Sequence, residues 1–261
     1  ARRPDKVEVA KSAADVERIR QAGKLAIVHA IEGAHILEGN VDRLDQLAQR
    51  GVAMVTLMHF YQNGIASQTD GIPRDYFVRK LCKFKFETGQ PPHLTDFGRE
   101  VLRRMAKLKM IVDVSHCTPQ ARAEIYQELG TSRPVVASHV GVTRYRNDPY
   151  NLTDDEIRHI ARTGGGIGVI FMTYWLSSFH PDNGLAIITE TMQHIHDVTG
   201  SWDHVMLGTD FDGFTDPPDD VRDASELPRL TEYLLKRGIG EDAVKKILGG
   251  NAMRVLKAGW R

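Results

Sequence analysis

Short apolar runs recur along the chain, and amphipathic segments separate them. The runs are LAIVHAI, VAMVTLM, MIVDV, PVVA, IGVIF and VML, at residues 25–31, 52–58, 110–114, 134–137, 167–171 and 205–207. Their length and composition are typical of buried strands. Between them, Thr95 and Thr153 stand where helix N-caps are expected, and Glu156 completes a capping box with Thr153. This alternation predicts an α/β fold with a parallel sheet and right-handed crossovers.

The number of predicted strands suggests an incomplete barrel. Six strands fall short of the eight that a closed (β/α)8 barrel needs. The polar first 23 residues show no strand pattern, although residues 16–22 have helical spacing. We therefore predict one partial TIM-like barrel domain over residues 1–261, with the first two strands missing and residues 1–23 leading into it. The long irregular stretch 62–92 is typical of a functional loop.

Single polar residues that follow the apolar runs are the candidate functional residues. They are Glu32, His59, His116, His139 and Asp210. In a barrel of parallel strands, residues at the carboxyl ends of the strands face the active site. Histidine and carboxylate side chains are suitable ligands for Zn²⁺ or a similar divalent ion. The pattern therefore predicts a metal-dependent hydrolase.

Three of these residues are predicted metal ligands. His116 and His139 both follow a serine at a strand terminus, in VDVSH and VASHV. Glu32 follows a largely apolar run, where a carboxylate is costly to bury without a partner. Metal ligation would offset that cost, and so would a salt bridge to a buried arginine.

The roles of the other two residues are less restricted by the sequence. Asp210, in LGTDFDG, is placed to contact a metal and to take the proton of a metal-bound water. Asp212 competes for that role, but we interpret it as bracing the turn that follows. His59 has three open roles, as a ligand, as an oxyanion-stabilising donor or as a structural residue.

Composition narrows the function further. Lys+Arg 34 balances Asp+Glu 34, so no basic surface favours nucleic acid. No apolar run reaches the roughly 18 residues of a membrane span. Cys82 and Cys117 are too few for a disulfide scaffold, although one disulfide remains open. The chain begins with Ala1 rather than Met, which indicates a processed or truncated N-terminus. Localisation stays open between cytoplasmic and extracytoplasmic.

An ordered set of motifs resembles one known family. AIEGAH, VTLMH, VDVSH, ASHVG, LGTDFDG and GGNAMRVL occur in this order between residues 24 and 256, with 27 residues from Glu32 to His59. The set resembles the renal (membrane) dipeptidase family of zinc dipeptidases. The resemblance implies an amidohydrolase-type barrel with two zinc ions per active site. It also implies cleavage of dipeptides by a metal-bound hydroxide, often with a D-residue tolerated at the C-terminal position.

The resemblance also implies a role for each motif residue. Glu32 resembles the carboxylate that bridges the two metals, and His116 and His139 resemble ligands of one of them. Asp210 resembles the aspartate that contacts the other metal and handles the proton. His59 resembles the histidine that steadies the scissile carbonyl. The implied partner is a small peptide, and family members are often homodimers.

The chain departs from the family pattern in two places. The His-x-Asp pair of the family's first strand, which completes the second metal site, is absent from this sequence. A member without it would be mononuclear or inactive, and the simplest expectation is that about two strands lie upstream. Tyr150 stands where the family often has an arginine that holds the substrate carboxylate. Arg144 or Arg146 could take over that contact, or they could be solvated loop charges.

These departures keep two alternative functions open. Tyr150 favours a related amidohydrolase that acts on an N-acyl amino acid or a lactam. The missing His-x-Asp pair would favour a catalytically silent or tailoring homologue if the full-length chain also lacks it.

Overall fold

Seven parallel strands form one sheet in which the spatial order is the chain order. The computed structural model describes residues 3–69, 93–177, 184–213 and 217–261, so most of the predicted functional loop lies outside the described residues. The strands are β1 (Val7–Ala10), β2 (Leu25–Glu32), β3 (Val52–Thr56), β4 (Ile111–Asp113), β5 (Val135–Val140), β6 (Gly166–Val169) and β7 (Val205–Leu207). Among the described residues β1 does not pair with β7, and the sheet is a half-barrel.

Strand β1 corrects the sequence analysis. It lies within the first 23 residues, so the prediction that this segment supplies no strand is wrong, and the described residues hold seven strands rather than six. Within that part of the chain β1 pairs only with β2, and its Glu8 forms ion pairs with Arg18 at 2.6 Å and Lys24 at 3.6 Å. An edge strand tolerates such charged residues because one of its sides is not paired with another strand. These charges interrupt the apolar pattern from which a strand would be predicted. The helical prediction for residues 16–22 is confirmed.

Side-chain caps begin several of the helices that connect the strands. Ser12, Thr95, Thr118 and Thr153 each accept a hydrogen bond from a backbone N–H of the first turn, and Glu156 completes the predicted capping box. The helices of the described ranges are α1 (Ala13–Gln21), α2 (Arg43–Gln49), α3 (Asp96–Leu108), α4 (Pro119–Leu129), α5 (Asp154–Arg162), α6 (Thr173–Leu176), α7 (Gly184–Thr199), α8 (Leu227–Lys236), α9 (Glu241–Lys245) and α10 (Asn251–Gly259). Within these ranges, no helix combines the length and hydropathy needed to cross a bilayer.

Both faces of the central strands are buried. Val52 and Val112 pack into the larger apolar cluster, which includes residues of α2 to α5 and α7. Their neighbours Ala53 and Ile111 belong to a second cluster with Trp260, directly after α10. Successive residues of a strand point to opposite faces, so burial on both sides requires an uninterrupted apolar run. This two-sided packing fixes the strands whose carboxyl ends carry the candidate site.

A buried arginine holds together two loops next to those ends. Arg122 in α4 is 1% exposed and donates to the carbonyl oxygens of Cys117 at 2.7 Å, Pro149 at 3.0 Å and Asn151 at 3.2 Å. Its guanidinium also binds the Glu156 carboxylate at 2.5 and 3.2 Å. Arg122 therefore ties the loop after β4 to the loop that leads into α5.

Candidate active site

The five predicted site residues lie at or just beyond the carboxyl ends of five strands. Glu32 ends β2, and His139 lies next to the last residue of β5. His59, His116 and Asp210 each follow the end of their strand, β3, β4 and β7, by three residues. The topology thus places all five on the same edge of the sheet.

Three of these side chains converge on one point. Glu32 Oε1 lies 3.1 Å from His116 Nε2 and 3.0 Å from His139 Nε2, and the two nitrogens are 3.0 Å apart. His116 and His139 are buried, whereas the Glu32 side chain is 42% exposed. The three atoms lie close enough together to ligate one divalent cation, and without a cation an imidazole N–H can donate to the Glu32 carboxylate.

The wider arrangement forms two potential ligand sets. Glu32, His59 and His116 form one set, and Glu32, His139 and Asp210 form the other, with the ligand atoms of each set within 4.8 Å of one another. Glu32 belongs to both. Imidazole nitrogen and carboxylate oxygen are the donors that Zn²⁺ takes in catalytic sites, so the residues present fit a divalent metal.

Burial and hydrogen bonding set the charge of these groups for ligation. Hydrogen bonds from His116, and then from His139, hold the pKa of Glu32 well below its usual range. Burial lowers the pKa of His116 to about 4. For His139 burial opposes the charged form, but the bond to Glu32 and nearby carboxylates outweigh it and raise the pKa. At neutral pH Glu32 is therefore ionised and His116 neutral, which are the forms that bind a metal.

The two residues with less restricted roles are only partly buried. Burial raises the pKa of the Asp210 carboxyl, which makes it a better proton acceptor than an ordinary aspartate. Burial lowers the pKa of His59, whose Nε2 lies 3.8 Å from Glu32 Oε1. Asp210, not Asp212, belongs to a ligand set among the described residues.

The backbone around the site is strained. His116 has φ 65° and Asp210 has φ 55°, in the left-handed region that residues other than glycine rarely adopt. Gly33, directly after Glu32, has φ 78°, and a Cβ there would lie 2.8 Å from His59 Cβ. The chain thus turns sharply at the end of each of these strands, which points the candidate ligands at a common centre.

The three predicted substrate-binding residues lie in the segment after β5. Tyr150 is 2% exposed, its hydroxyl donates to the His139 carbonyl at 2.6 Å, and its ring lies 3.8 Å from that of Trp175. Arg144 is exposed and Arg146 is half-buried. The placement of Tyr150 favours a role in bracing His139, and substrate contact by these three residues stays a prediction.

A buried carboxylate that was not among the predicted residues lies behind the site. Asp113 is fully buried and accepts hydrogen bonds from Thr56 Oγ1 at 2.5 Å, Ser138 Oγ at 2.6 Å, Ser138 N at 2.9 Å and Ser115 N at 3.1 Å. Ser138 Oγ also lies 2.7 Å from His139 Nδ1. A charged residue inside the run MIVDV was the available signal, because such a group must find partners.

Comparisons with known proteins agree with this fold. A metallopeptidase structure from Rhodobacter sphaeroides, liganded with a phosphinate mimic of the dipeptide L-Ala-D-Ala, superposes with a TM-score of 0.84, covering 98% of this chain and 70% of that one at 24% identity. This likeness confirms the predicted TIM-like α/β fold.

Curated relatives extend the comparison to sequence. An uncharacterized protein in the pqqA 5′ region of Klebsiella pneumoniae is 32% identical over 96% of this chain and 88% of its own length. An uncharacterized dipeptidase of Schizosaccharomyces pombe is 34% identical over 87% of this chain, which spans only 51% of that relative. The family described as membrane dipeptidase, peptidase family M19, matches residues 1–259. The chain therefore belongs to the membrane dipeptidase family, a family of hydrolases that act on peptide bonds.

Proposed function

We propose that this chain carries the zinc-binding site of a dipeptidase and acts as a single partial barrel domain. The observation that carries the proposal is the convergence of Glu32 Oε1, His116 Nε2 and His139 Nε2 within 3.0–3.1 Å. One carboxylate oxygen and two imidazole nitrogens this close together form a donor set that a single divalent ion can share.

Glu32, His116 and His139 would hold the first ion. For a second ion the chain offers the other side of the Glu32 carboxylate and Asp210, and the metal content per chain decides between one ion and two. Zinc, when bound, supplies Lewis-acid polarisation of the scissile carbonyl and lowers the pKa of the attacking water.

The remaining roles belong to side chains that line the site. Asp210, whose pKa is raised by burial, takes the proton of the attacking water and returns it to the leaving amine. His59 is neutral and partly exposed, and it donates a hydrogen bond to the carbonyl oxygen as negative charge develops there. Arg144 and Arg146 would bind the substrate carboxylate, with Tyr150 behind the site.

Metal content and dipeptide hydrolysis together test this function. We expect zinc to bind the wild-type protein and to support turnover of L,L or L,D dipeptides. Glu32→Gln and His116→Ala should lose both metal and activity. His196→Ala, on the exposed side of α7, is the matched histidine control and should retain both. A wild-type protein that binds no metal, or binds it without turnover of any dipeptide, would contradict the proposal.

The role of His59 needs a separate variant. His59→Ala should lower kcat by about 100-fold or more while metal content stays unchanged, because it removes a donor to the developing oxyanion. Loss of metal in this variant would instead place His59 among the ligands.

A second candidate function rests on Tyr150. Its hydroxyl donates to the His139 carbonyl, so this position provides no cation for a free substrate carboxylate. A related amidohydrolase acting on N-acyl amino acids or lactams would not need that contact in the same place. Turnover of such amides by the zinc-loaded protein, without turnover of dipeptides, would favour this alternative.

Light scattering would test the homodimer that the family resemblance implies.

A further inference from the structure

Asp113 is a buried charge that the proposed mechanism does not use. Each of its carboxylate oxygens accepts two hydrogen bonds. Oδ1 accepts from the backbone N–H groups of Ser115 and Ser138, and Oδ2 accepts from the hydroxyls of Thr56 and Ser138. Four donors satisfy this side chain as an acceptor on both of its oxygens.

The position of Ser138 connects this carboxylate to the metal site. Ser138 Oγ lies 2.6 Å from Asp113 Oδ2 and 2.7 Å from His139 Nδ1. A hydroxyl has one hydrogen, and a carboxylate can only accept. Ser138 therefore donates to Asp113 and accepts from His139, because the reverse arrangement would place two acceptor oxygens 2.6 Å apart without a hydrogen between them. The hydrogen of the neutral His139 ring must then lie on Nδ1.

We propose that Asp113, acting through Ser138, is a positioning residue that holds His139 in the tautomer with Nε2 free to bind the metal. The inference rests on the proposed function, since it is His139 Nε2 that faces Glu32 Oε1 and His116 Nε2, each at 3.0 Å. Partners behind a metal-binding histidine fix its tautomer and orientation in this way.

In the part of the chain that the structure describes, His139 has a hydrogen-bond partner behind its ring, whereas His116 does not, so the positioning contact is specific to His139. Among the described residues, His116 Nδ1 is buried without a hydrogen-bond partner. His139 has further supports, because its carbonyl accepts from Tyr150 and its N–H donates to Ser115 Oγ at 3.3 Å. These contacts thus hold the backbone of His139 in place and favour one position for the hydrogen on its ring.

A purely structural role would also be consistent with hydrogen bonds that join β3, β4 and β5, so the test must separate the two. Asp113→Asn keeps the shape of the side chain and exchanges one acceptor oxygen for a donor group. The two backbone N–H groups require the remaining oxygen, so the new NH2 group faces Ser138 and Thr56. Ser138 then donates to His139 Nδ1, and the ring hydrogen moves to Nε2.

The experiment reads the His139 tautomer in metal-free protein at alkaline pH, by NMR of ¹⁵N-labelled histidine. Zinc affinity is measured in parallel by competition with a chelator. Wild type should carry the hydrogen on Nδ1, and Asp113→Asn should carry it on Nε2 with zinc affinity lower by about 10–100-fold. Thr56→Val is the matched control, because it removes the other donor to the same oxygen and leaves Ser138 in place. It should keep the wild-type tautomer.

Three results would overturn the inference. They are a wild-type His139 with the hydrogen on Nε2, a folded Asp113→Asn that keeps it on Nδ1, and a Thr56→Val that changes the tautomer as much as Asp113→Asn. If Asp113→Asn does not fold, Ser138→Ala serves instead, with a mixture of tautomers and weaker zinc binding expected. An unchanged tautomer there would also overturn the inference. The tautomer is read without metal or substrate, so absence of dipeptide turnover in the wild type would count against the proposed function and not against this positioning role.

Discussion

Replacing Arg122 with methionine should destabilise the protein by about 3–5 kcal/mol, the range measured when one partner of a buried ion pair is removed. Methionine keeps a comparable apolar stem but removes every donor. The carbonyls of Cys117, Pro149 and Asn151 would each lose a bond of 2.7–3.2 Å, and the Glu156 carboxylate would lose its cation. The Glu156 side chain is only 13% exposed, so water replaces that cation poorly.

A double-mutant cycle separates two contributions to this loss of stability. One is the cost of leaving the Glu156 carboxylate unpaired, and the other is the cost of the lost hydrogen bonds to the carbonyls. Glu156→Gln in the Arg122→Met background removes the unpaired carboxylate, so the double variant should be more stable than the sum of the single losses predicts, by about 1–3 kcal/mol. Arg158→Met is the control, because this exposed arginine pairs with Asp155 at 2.9 Å on the surface of α5 and should cost less than about 1 kcal/mol.

Urea unfolding monitored by circular dichroism measures the stability of the wild type and of the four variants. A loss below about 1 kcal/mol for Arg122→Met would show that water or rearranged side chains replace the guanidinium, contrary to the burial argument. Strict additivity in the cycle would show that the Glu156 charge contributes nothing to the cost.

Three further predictions concern the site itself. Gly33→Ala should destabilise the protein more than Gly39→Ala, because both have φ near 75° but only Gly33 would place a Cβ against His59; equal unfolding midpoints would contradict the clash. Tyr150→Phe removes the bond to the His139 carbonyl and should cost about 1 kcal/mol with KM unchanged, whereas a raised KM would indicate substrate contact. In metal-free protein the unfolded chain protonates His116 near pH 6.5 and the folded chain only near 4, so its contribution to stability is present above pH 6.5 and falls between pH 6.5 and 4; an NMR titration midpoint near 6.5 would refute this.

The position of the candidate site could be predicted from the sequence because each candidate ligand follows the end of an apolar run. Glu32 and His116 are separated by 84 residues, yet the parallel topology brings their strand ends to one edge. This prediction needs only the position of each apolar run and of the polar residue that follows it. It therefore identifies the edge of the sheet that carries the site without any knowledge of side-chain contacts.

The features missed by the sequence analysis depend on neighbours that a linear pattern does not contain. In the described ranges strand β1 pairs with one strand only, and it carries Glu8, so it lacks the apolar character of a buried strand. Asp113 lies within an apolar run, but its importance depends on Ser138, which comes from a different strand, and Thr56, from a third. Likewise, the buried position of Tyr150 depends on Trp175, 25 residues later in the chain.

The left-handed backbone at His116 and Asp210 implies a trade-off between the stability of the fold and the residues that the candidate site requires. A residue other than glycine in this conformation costs about 1–2 kcal/mol, and asparagine or glycine would relieve much of it. A laboratory selection for heat resistance alone should therefore favour replacements that relieve the backbone at these positions and remove candidate metal ligands. A screen for thermostable variants of this barrel should include turnover, because a gain in stability at these two positions can cost a residue of the candidate site.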